Sequence, residues 1–168
     1  MSKDTFLYAV PYHWYTKYGV RKYGFHGTSH QYVSQEAMKL LNNDQAKVIV
    51  VHMGNGVSLC AVKAGQSMDT SMGLTPLEGV PMGTRSGNVD PALIAYLKDN
   101  TDMTSDDVLD ALNKKSGYLG LSGGFSSDSR DIVDKMETGD ELAKNAFDVQ
   151  VKRVCDYIGS YYVTLGGL

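Results

Sequence analysis

The chain has 168 residues, of which 42% are hydrophobic and 21% are charged, and this composition excludes a disordered or fibrous protein. Its length suits one ordinary domain and is too short for two. The net charge of −3 and the lack of any long apolar run exclude a typical nucleic-acid-binding protein and a membrane-spanning helix.

Residues 1–45 are predicted to contain a strand and helices that lead into a sheet. Residues 5–10 favour a short strand, and Pro11 fits the start of a short helix that ends at Gly19. A capping box that begins at Thr28 predicts a second helix. That helix would bury one apolar face, formed by Val33, Ala37, Leu40 and Leu41.

Residues 46–72 are predicted to form an antiparallel meander of three short strands. Each strand is rich in apolar residues, and Ala64 with Gly65 forms the turn before the last one. The predicted strands are 47–52, 57–63 and 66–71.

Residues 73–89 are predicted to form a long loop, because they contain four glycines and two prolines and show no periodicity. Loops of this length in compact domains are usually functional. Three apolar side chains favour an ordered loop: Leu74, Leu77 and Val80.

Residues 90–168 are predicted to be helical. Helices begin after Asp90 and Thr104, and a Gly- and Ser-rich segment, 117–127, interrupts them. Asp140 caps a long final helix whose buried stripe would consist of Phe147, Val151, Val154, Ile158 and Leu165. This order of elements favours an α/β or α+β fold with a mixed sheet in a single, partial domain.

The segment His52-Met53-Gly54-Asn55-Gly56 joins the first two strands of the predicted meander and is suited to bind phosphate. The two glycines allow backbone amides to approach an anion closely, and Asn55 adds an amide donor. The alternative is an ordinary hairpin turn, because Asn-Gly is the commonest signal for one.

His26 lies just ahead of a predicted helix, where the positive end of the helix dipole favours contact with an anion. A histidine held by loop hydrogen bonds explains the same position equally well. His26 and His30 have the spacing of a zinc-binding helix, but Gly27 stands where that motif has glutamate, so no metal site is expected.

Two further segments carry charge. Arg85 lies between glycines in the long loop, and its planar cation matches phosphate geometry, although an exposed surface arginine is the simpler alternative. Asp128, Ser129 and Arg130 stand at a predicted helix start, where Asp and Ser are ordinary capping residues.

Two cysteines, Cys60 and Cys155, are too far apart in sequence to form a metal or redox motif. They are interpreted as buried thiols in a reducing compartment, which predicts a cytoplasmic location.

Taken together, these segments resemble the acetate kinase family. The similarity extends in order along essentially the whole chain and rests on long strings, which are more specific than a single glycine motif. The matching strings are Arg21–His30, His52–Gly56, Asp69–Gly79, Met82–Gly87 and Asn113–Gly117.

The resemblance implies an α/β fold, namely an incomplete ribonuclease H-like domain of the actin/hexokinase-type ATPase superfamily. It implies an enzyme that reversibly transfers the γ-phosphoryl group of ATP to acetate, giving acetyl phosphate and ADP by direct in-line transfer. ATP and Mg²⁺ would be the cofactors, acetate and ATP the small-molecule partners, and the full-length protein a homodimer with no nucleic-acid or membrane partner.

The resemblance also implies roles for individual residues. The two transition-state stabilisers would be His26 and Arg85. The ATP phosphate loop would be His52, Met53, Gly54, Asn55 and Gly56, and a further nucleotide-contacting segment would be Asp128, Ser129 and Arg130. The apolar pocket for the acetate methyl group would include Phe25 and Pro76. Magnesium ligands are expected outside this chain.

The sequence departs from the family pattern at three places. Asn88 stands where the family often has Asp, Leu74 stands where Phe is common, and the segment 123–125 is one residue longer. Family members are roughly twice this length or more, so we expect a central fragment that lacks a catalytic aspartate and is inactive alone. A propionate or butyrate kinase, or an inactive nucleotide- or anion-binding fragment, are the alternatives.

Overall fold

The structure is a computed structural model that describes residues 1–168. Three short strands follow three helices, and five further helices complete the chain. The elements are α1 (Lys3–Phe6), α2 (Tyr12–Tyr18), α3 (Gly27–Leu40), β1 (Lys47–Met53), β2 (Val57–Lys63), β3 (Gln66–Thr70), α4 (Ala92–Asn100), α5 (Ser105–Lys114), α6 (Gly117–Leu121), α7 (Ser129–Glu137) and α8 (Glu141–Leu165).

The contacts within the chain fall into two compact units. The first unit comprises Met1–Gly79 and Val154–Leu168, and the second unit comprises Val80–Arg153. The interpretation of residues 1–168 as one partial domain, with its four internal segments, stays a prediction. No helix is both long and apolar enough to cross a membrane.

A three-stranded antiparallel sheet in the order β1-β2-β3 forms the centre of the first unit, so the predicted meander is confirmed. The central strand β2 is buried at every position except Lys63. Ala64 and Gly65 have φ values of 49° and 73°, as a two-residue hairpin turn of this kind requires. One cluster of apolar side chains on this sheet consists of Val48, Val50, Cys60 and Val62.

The strand predicted at residues 5–10 is wrong. Residues 5–10 do not form a strand, because the amides of Thr5, Phe6 and Leu7 donate to carbonyl groups of Ser2 and Lys3 within a helical turn. A strand needs a neighbouring strand to pair with its backbone. In this segment the first backbone amides bond to carbonyl groups three or four residues earlier instead. The short helix that ends at a left-handed Gly19 is confirmed.

Helix α3 buries a polar face, and the predicted apolar face is exposed. Leu40 and Leu41 have relative exposures of 88% and 60%, whereas the buried residues of the helix are His30 and Ser34. The helix begins at Gly27, two residues earlier than a Thr28 cap would allow, so Thr28 lies inside the first turn and does not cap it. Periodicity located the helix but placed the wrong face inward, because α3 packs its histidine side against the sheet.

The second unit is helical, with a small core of Tyr118, Ile132, Ala143 and Ala146. The capping box of Thr104 with Asp107 is present, and Asp128 caps α7 through the amide of Arg130. No helix or strand lies between Thr70 and Ala92, which confirms a long loop over 73–89. Val80 and Met82 are fully buried, so this loop is packed into the protein.

Three predictions for residues 90–168 need correction. Gly117–Leu121 is helical, because the amides of Tyr118 and Leu119 donate to loop carbonyl groups and start a turn. In α8, Val151 and Ile158 are exposed, since the inward-facing positions are taken by small or polar residues such as Ala143, Ala146 and Gln150. Cys60 is buried as predicted, but Cys155 is exposed on α8.

Candidate active site

Three histidines meet where helix α3 begins and strand β1 ends. His26 has a left-handed backbone (φ 59°) immediately before α3, and His30 lies one turn further along that helix. The rings of His26 and His52 are stacked, with 3.9 Å between their centroids and 23° between their planes. The ring of His30 lies edge-on to both, at 6.3 Å from each.

Serine hydroxyls hold these rings in place. The Ser58 Oγ atom lies 2.9 Å from His26 Nδ1 and 2.7 Å from His30 Nε2. His52 Nδ1 is hydrogen-bonded to Ser29 Oγ at 2.9 Å. The antiparallel register places Ser58 directly opposite His52 across β1 and β2. Strand pairing and helical spacing therefore bring the three rings to one point.

His30 is electrically neutral in this arrangement. Burial first, and then the neighbouring His26 and His52 rings, lower the pKa of His30 to about 4. A neutral imidazole has one N–H donor and one acceptor nitrogen. The cluster is therefore a set of oriented hydrogen-bonding groups without a fixed positive charge on His30.

The loop from His52 to Gly56 is open to solvent, with Met53, Gly54 and Asn55 all exposed. The fold does not require glycine at position 54. A Cβ atom there would have its nearest neighbours at 3.6 Å (His52 Nε2) and 3.7 Å (Gly56 O), which are ordinary van der Waals distances. A glycine at a place that could accept a side chain is expected where a ligand approaches the backbone.

The segment around Pro76 is fixed by Tyr8 and Glu78 in the first unit. The Tyr8 hydroxyl donates to Glu78 Oε2 and accepts a 2.8 Å hydrogen bond from the amide of Leu74. Burial first, and then the bond to Glu78, raise the pKa of Tyr8, so that the hydroxyl stays protonated. A Cβ atom on Gly73 would lie 1.6 Å from Glu78 Oε2, so only glycine fits beneath this pair.

Phe25 lines a cavity of about 300 Å³ in the first unit, together with Tyr23, His30, Cys60 and Thr70. Pro76 is half-buried and does not line this cavity. The two residues predicted to form the methyl pocket therefore belong to one compact unit, and their shared role stays a prediction.

In the second unit, Arg85 is half-buried. The loop that precedes it is tied to the start of α6, because the amides of Tyr118 and Leu119 donate to Met82 O and Gly83 O. The amide of Met82 donates to Arg85 O at 3.0 Å, and Arg85 Nη1 contacts Met82 Sδ at 3.5 Å. Gly117 has φ 59°, and a Cβ atom there would lie 2.0 Å from Met82 O and 2.7 Å from Arg85 O. The position of Arg85 thus depends on a glycine at 117.

Asp128, Ser129 and Arg130 lie at the N-terminus of α7. Asp128 accepts from the Arg130 amide at 2.9 Å and pairs with the Arg130 guanidinium at 2.6 Å. These bonds from Arg130, side chain first and backbone second, lower the pKa of Asp128 to about 2. Helix capping alone is enough to explain Asp128, which is the alternative that the sequence analysis left open.

Sequence patterns missed three residues of these networks. Ser58 resembles any other residue of a buried strand, and neither Tyr8 nor Glu78 belongs to a spacing that indicates a site. The one signal in the sequence was the interval of four residues between His26 and His30, which places the two histidines one helical turn apart but lacks the glutamate of a zinc-binding helix.

Comparison with known proteins gives consistent matches along the entire chain. Residues 1–168 match the model of the Acetokinase family. The chain is 58% identical over 168 residues to acetate kinase from Acholeplasma laidlawii, covering 42% of that protein. It is 55% identical over 170 residues to acetate kinase from Geobacillus kaustophilus, covering 43% of it.

Two solved structures are similar to the whole fold. The chain matches acetate kinase from Porphyromonas gingivalis with a TM-score of 0.95 and 44% identity, covering 100% of this chain and 42% of that one. It matches a propionate kinase from Francisella tularensis with a TM-score of 0.94 and 47% identity, covering 97% of this chain and 42% of that one. The chain therefore spans about two fifths of the length of these relatives.

Proposed function

Because the chain belongs to the acetokinase family, we propose that it is the central part of an acetate kinase, which reversibly transfers the γ-phosphoryl group of ATP to acetate. The observation that carries this proposal is the stacking of His26 on His52 at 3.9 Å. It puts the expected transition-state histidine beside the first residue of the expected phosphate loop. The 58% identity over all 168 residues supports the same reaction.

Phosphoryl transfer requires little covalent chemistry from a protein. It requires in-line positioning of the reactants and donors around the equatorial oxygens of the transferring group. In our proposal, backbone amides of the loop His52–Gly56 hold the ATP phosphates. His26 donates a hydrogen bond to the group in transfer, and Arg85 offers its planar fork.

The remaining site residues are proposed to bind the two substrates. Phe25 and Pro76 contact the acetate methyl group, and Asp128, Ser129 and Arg130 contact the nucleotide. Arg130 is paired with Asp128 in this structure, so nucleotide binding would compete with or extend that ion pair.

No group of three or more His, Cys, Asp or Glu side chains in residues 1–168 is placed to hold a metal ion. We propose that the Mg²⁺ ligands of the full-length protein lie outside residues 1–168. From the resemblance we also propose a cytoplasmic homodimer with acetate and ATP as its small-molecule partners.

A second candidate function is propionate kinase, since the chain is 47% identical to the propionate kinase from Francisella tularensis and shares its fold. The two activities differ by one methylene in the acid. One methylene in an apolar pocket changes the specificity constant by about 10- to 200-fold.

The test uses the purified full-length protein that contains this chain, with ATP and each of acetate, propionate and butyrate. We expect ADP formation that depends on the acid, with the largest kcat/KM for acetate. A Phe25→Ala variant should shift the preference towards propionate by enlarging the pocket, whereas Phe125→Ala, at a phenylalanine of comparable exposure, serves as the control. A larger kcat/KM for propionate would support the second candidate, and no acid-dependent ADP formation would contradict both.

A further inference from the structure

One hydroxyl group joins two imidazole rings at the centre of the histidine cluster. Ser58 has a relative exposure of 0%, and its Oγ atom lies within hydrogen-bond distance of both His26 Nδ1 (2.9 Å) and His30 Nε2 (2.7 Å). A hydroxyl has a single hydrogen. It can donate to only one of these nitrogens, so it must accept from the other for both bonds to form.

The direction of this chain of bonds follows from His30. Its other nitrogen, Nδ1, is buried and has no hydrogen-bond partner. A buried N–H without a partner is rarer than an unpaired acceptor, because it forfeits the full desolvation free energy of a donor. With its pKa at about 4, His30 is neutral and carries one proton, which therefore belongs on Nε2.

We propose that His30 and Ser58 are positioning residues that fix the tautomer of His26. His30 Nε2–H donates to Ser58 Oγ, and the Ser58 hydroxyl donates to His26 Nδ1. His26 then accepts at Nδ1 and carries its proton on Nε2, where it is a donor. This inference rests on the proposed function, in which His26 donates to the transferring phosphoryl group.

Helix α3 and the pairing of β1 with β2 both help to position this hydrogen-bond relay from His30 through Ser58 to His26. The spacing of four residues on α3 places His30 one turn from His26. The pairing of β1 with β2 places Ser58 opposite His52, whose ring covers His26. The tautomer of His26 is thereby set by two buried groups, the Ser58 hydroxyl and the His30 imidazole.

The first measurement is made on the full-length protein with its histidines carrying ¹³C at Cδ2, a nucleus whose chemical shift distinguishes the two neutral tautomers. We expect the His26 signal to report a proton on Nε2 in the wild type and a mixture of tautomers in Ser58→Ala. A wild-type signal that reports a proton on Nδ1 would overturn the proposal, whether or not any variant folds.

The second measurement is steady-state kinetics with ATP and acetate. Removing the partner that orients a metal-ligating histidine typically costs about 10- to 100-fold in activity, and we take this range as the guide for His26. We expect Ser58→Ala to lose this much in kcat with little change in the KM for ATP. His30→Leu should lose as much, and His30→Gln should recover most of the rate because its amide retains an N–H donor.

Ser71→Ala is the matched control, because Ser71 is equally buried and its hydroxyl accepts from the Leu59 amide. It should leave kcat and the His26 signal unchanged. A Ser58→Ala variant with wild-type kcat and an unchanged His26 tautomer would overturn the relay. If His26→Ala retains the wild-type rate while the His26 signal of the wild-type protein reports Nε2–H, the proposed role of His26 fails and the tautomer assignment stands.

Discussion

At the scale of single residues, Arg85 provides the sharpest test of a catalytic side chain. If Arg85 meets charge that develops on the transferring phosphoryl group, Arg85→Ala in the full-length protein should lower kcat far more than it raises the KM for ATP. The expected loss is about 100- to 1,000-fold, or ~2.7–4 kcal/mol. Arg85→Lys should recover part of it, since lysine keeps the charge and loses the planar fork.

Steady-state kinetics of these variants measures the effect, with Arg153→Ala in α8 as an arginine control for which no role is proposed. A solvated loop arginine predicts a change of a few-fold at most in either constant. A kcat within a factor of about five of the wild type, in a folded Arg85→Ala protein, would remove Arg85 from the catalytic machinery.

His30 makes the stability of the protein depend on pH in a defined direction. Its pKa is about 4 when folded, against an ordinary value of about 6.5 when unfolded. Between these values the unfolded state binds a proton that the folded state does not. The stabilising contribution is therefore complete above pH ~6.5 and is lost as the pH falls towards about 4, by an amount on the order of 3 kcal/mol.

The measurement compares the free energy of unfolding at neutral and acidic pH for the wild type and His30→Gln. The wild type should lose more stability on acidification than the variant, and NMR titration of the His30 ring should show a midpoint near 4. A His30 midpoint at or above its ordinary value would contradict the buried, neutral state.

At the scale of elements, a substitution at Gly54, in the loop His52–Gly56, should affect ATP binding without affecting stability. A Cβ atom on Gly54 would meet nothing closer than 3.6 Å, so Gly54→Ala should leave the denaturation midpoint nearly unchanged. The same methyl group would stand between the backbone and a phosphate group, so the KM for ATP should rise at least several-fold. An unchanged KM for ATP in Gly54→Ala would contradict the phosphate loop.

Gly117 should behave in the opposite way. Its φ of 59° strains any other residue by roughly 1–2 kcal/mol, and a Cβ atom would lie 2.0 Å from Met82 O. Gly117→Ala should therefore lower the denaturation midpoint strongly. Gly159→Ala is the control, because that helical glycine has nothing within 4 Å and should gain up to about 1 kcal/mol. Equal midpoints for the two variants would contradict this packing.

Sequence patterns predicted the bounds of helices and strands better than they predicted which side of each helix is buried. Strands β1 to β3 depend on local signals and were predicted to within one residue at each end, and the helix predicted to begin after Thr104 does begin there. The inward face of α3 was mispredicted because periodicity ranks Leu40 above Ser34, while burial is decided by what lies beneath the helix. Hydrogen-bond networks such as Ser58 with two histidines join distant segments, so no local pattern could indicate them.

At the scale of the whole molecule, the predicted fold class is confirmed. The chain has a partial α/β fold that matches acetate and propionate kinases with TM-scores of 0.95 and 0.94. That prediction depended on the long sequence segments that resemble the acetate kinase family, because several of them matched this one family in the same order. Composition and periodicity alone left α/β and α+β open. The site assignments for residues such as Arg85 and Pro76 stay predictions.

The stereochemistry of transfer tests the proposed reaction most directly. A neutral His26 that donates through Nε2 stabilises a phosphoryl group without bonding to it, so transfer should occur in one in-line step. The full-length protein is given acetate and ATP made chiral at the γ-phosphorus with three oxygen isotopes. Acetyl phosphate with inverted configuration at phosphorus is the predicted product, and retained configuration, which requires a covalent phosphoenzyme, would contradict direct transfer.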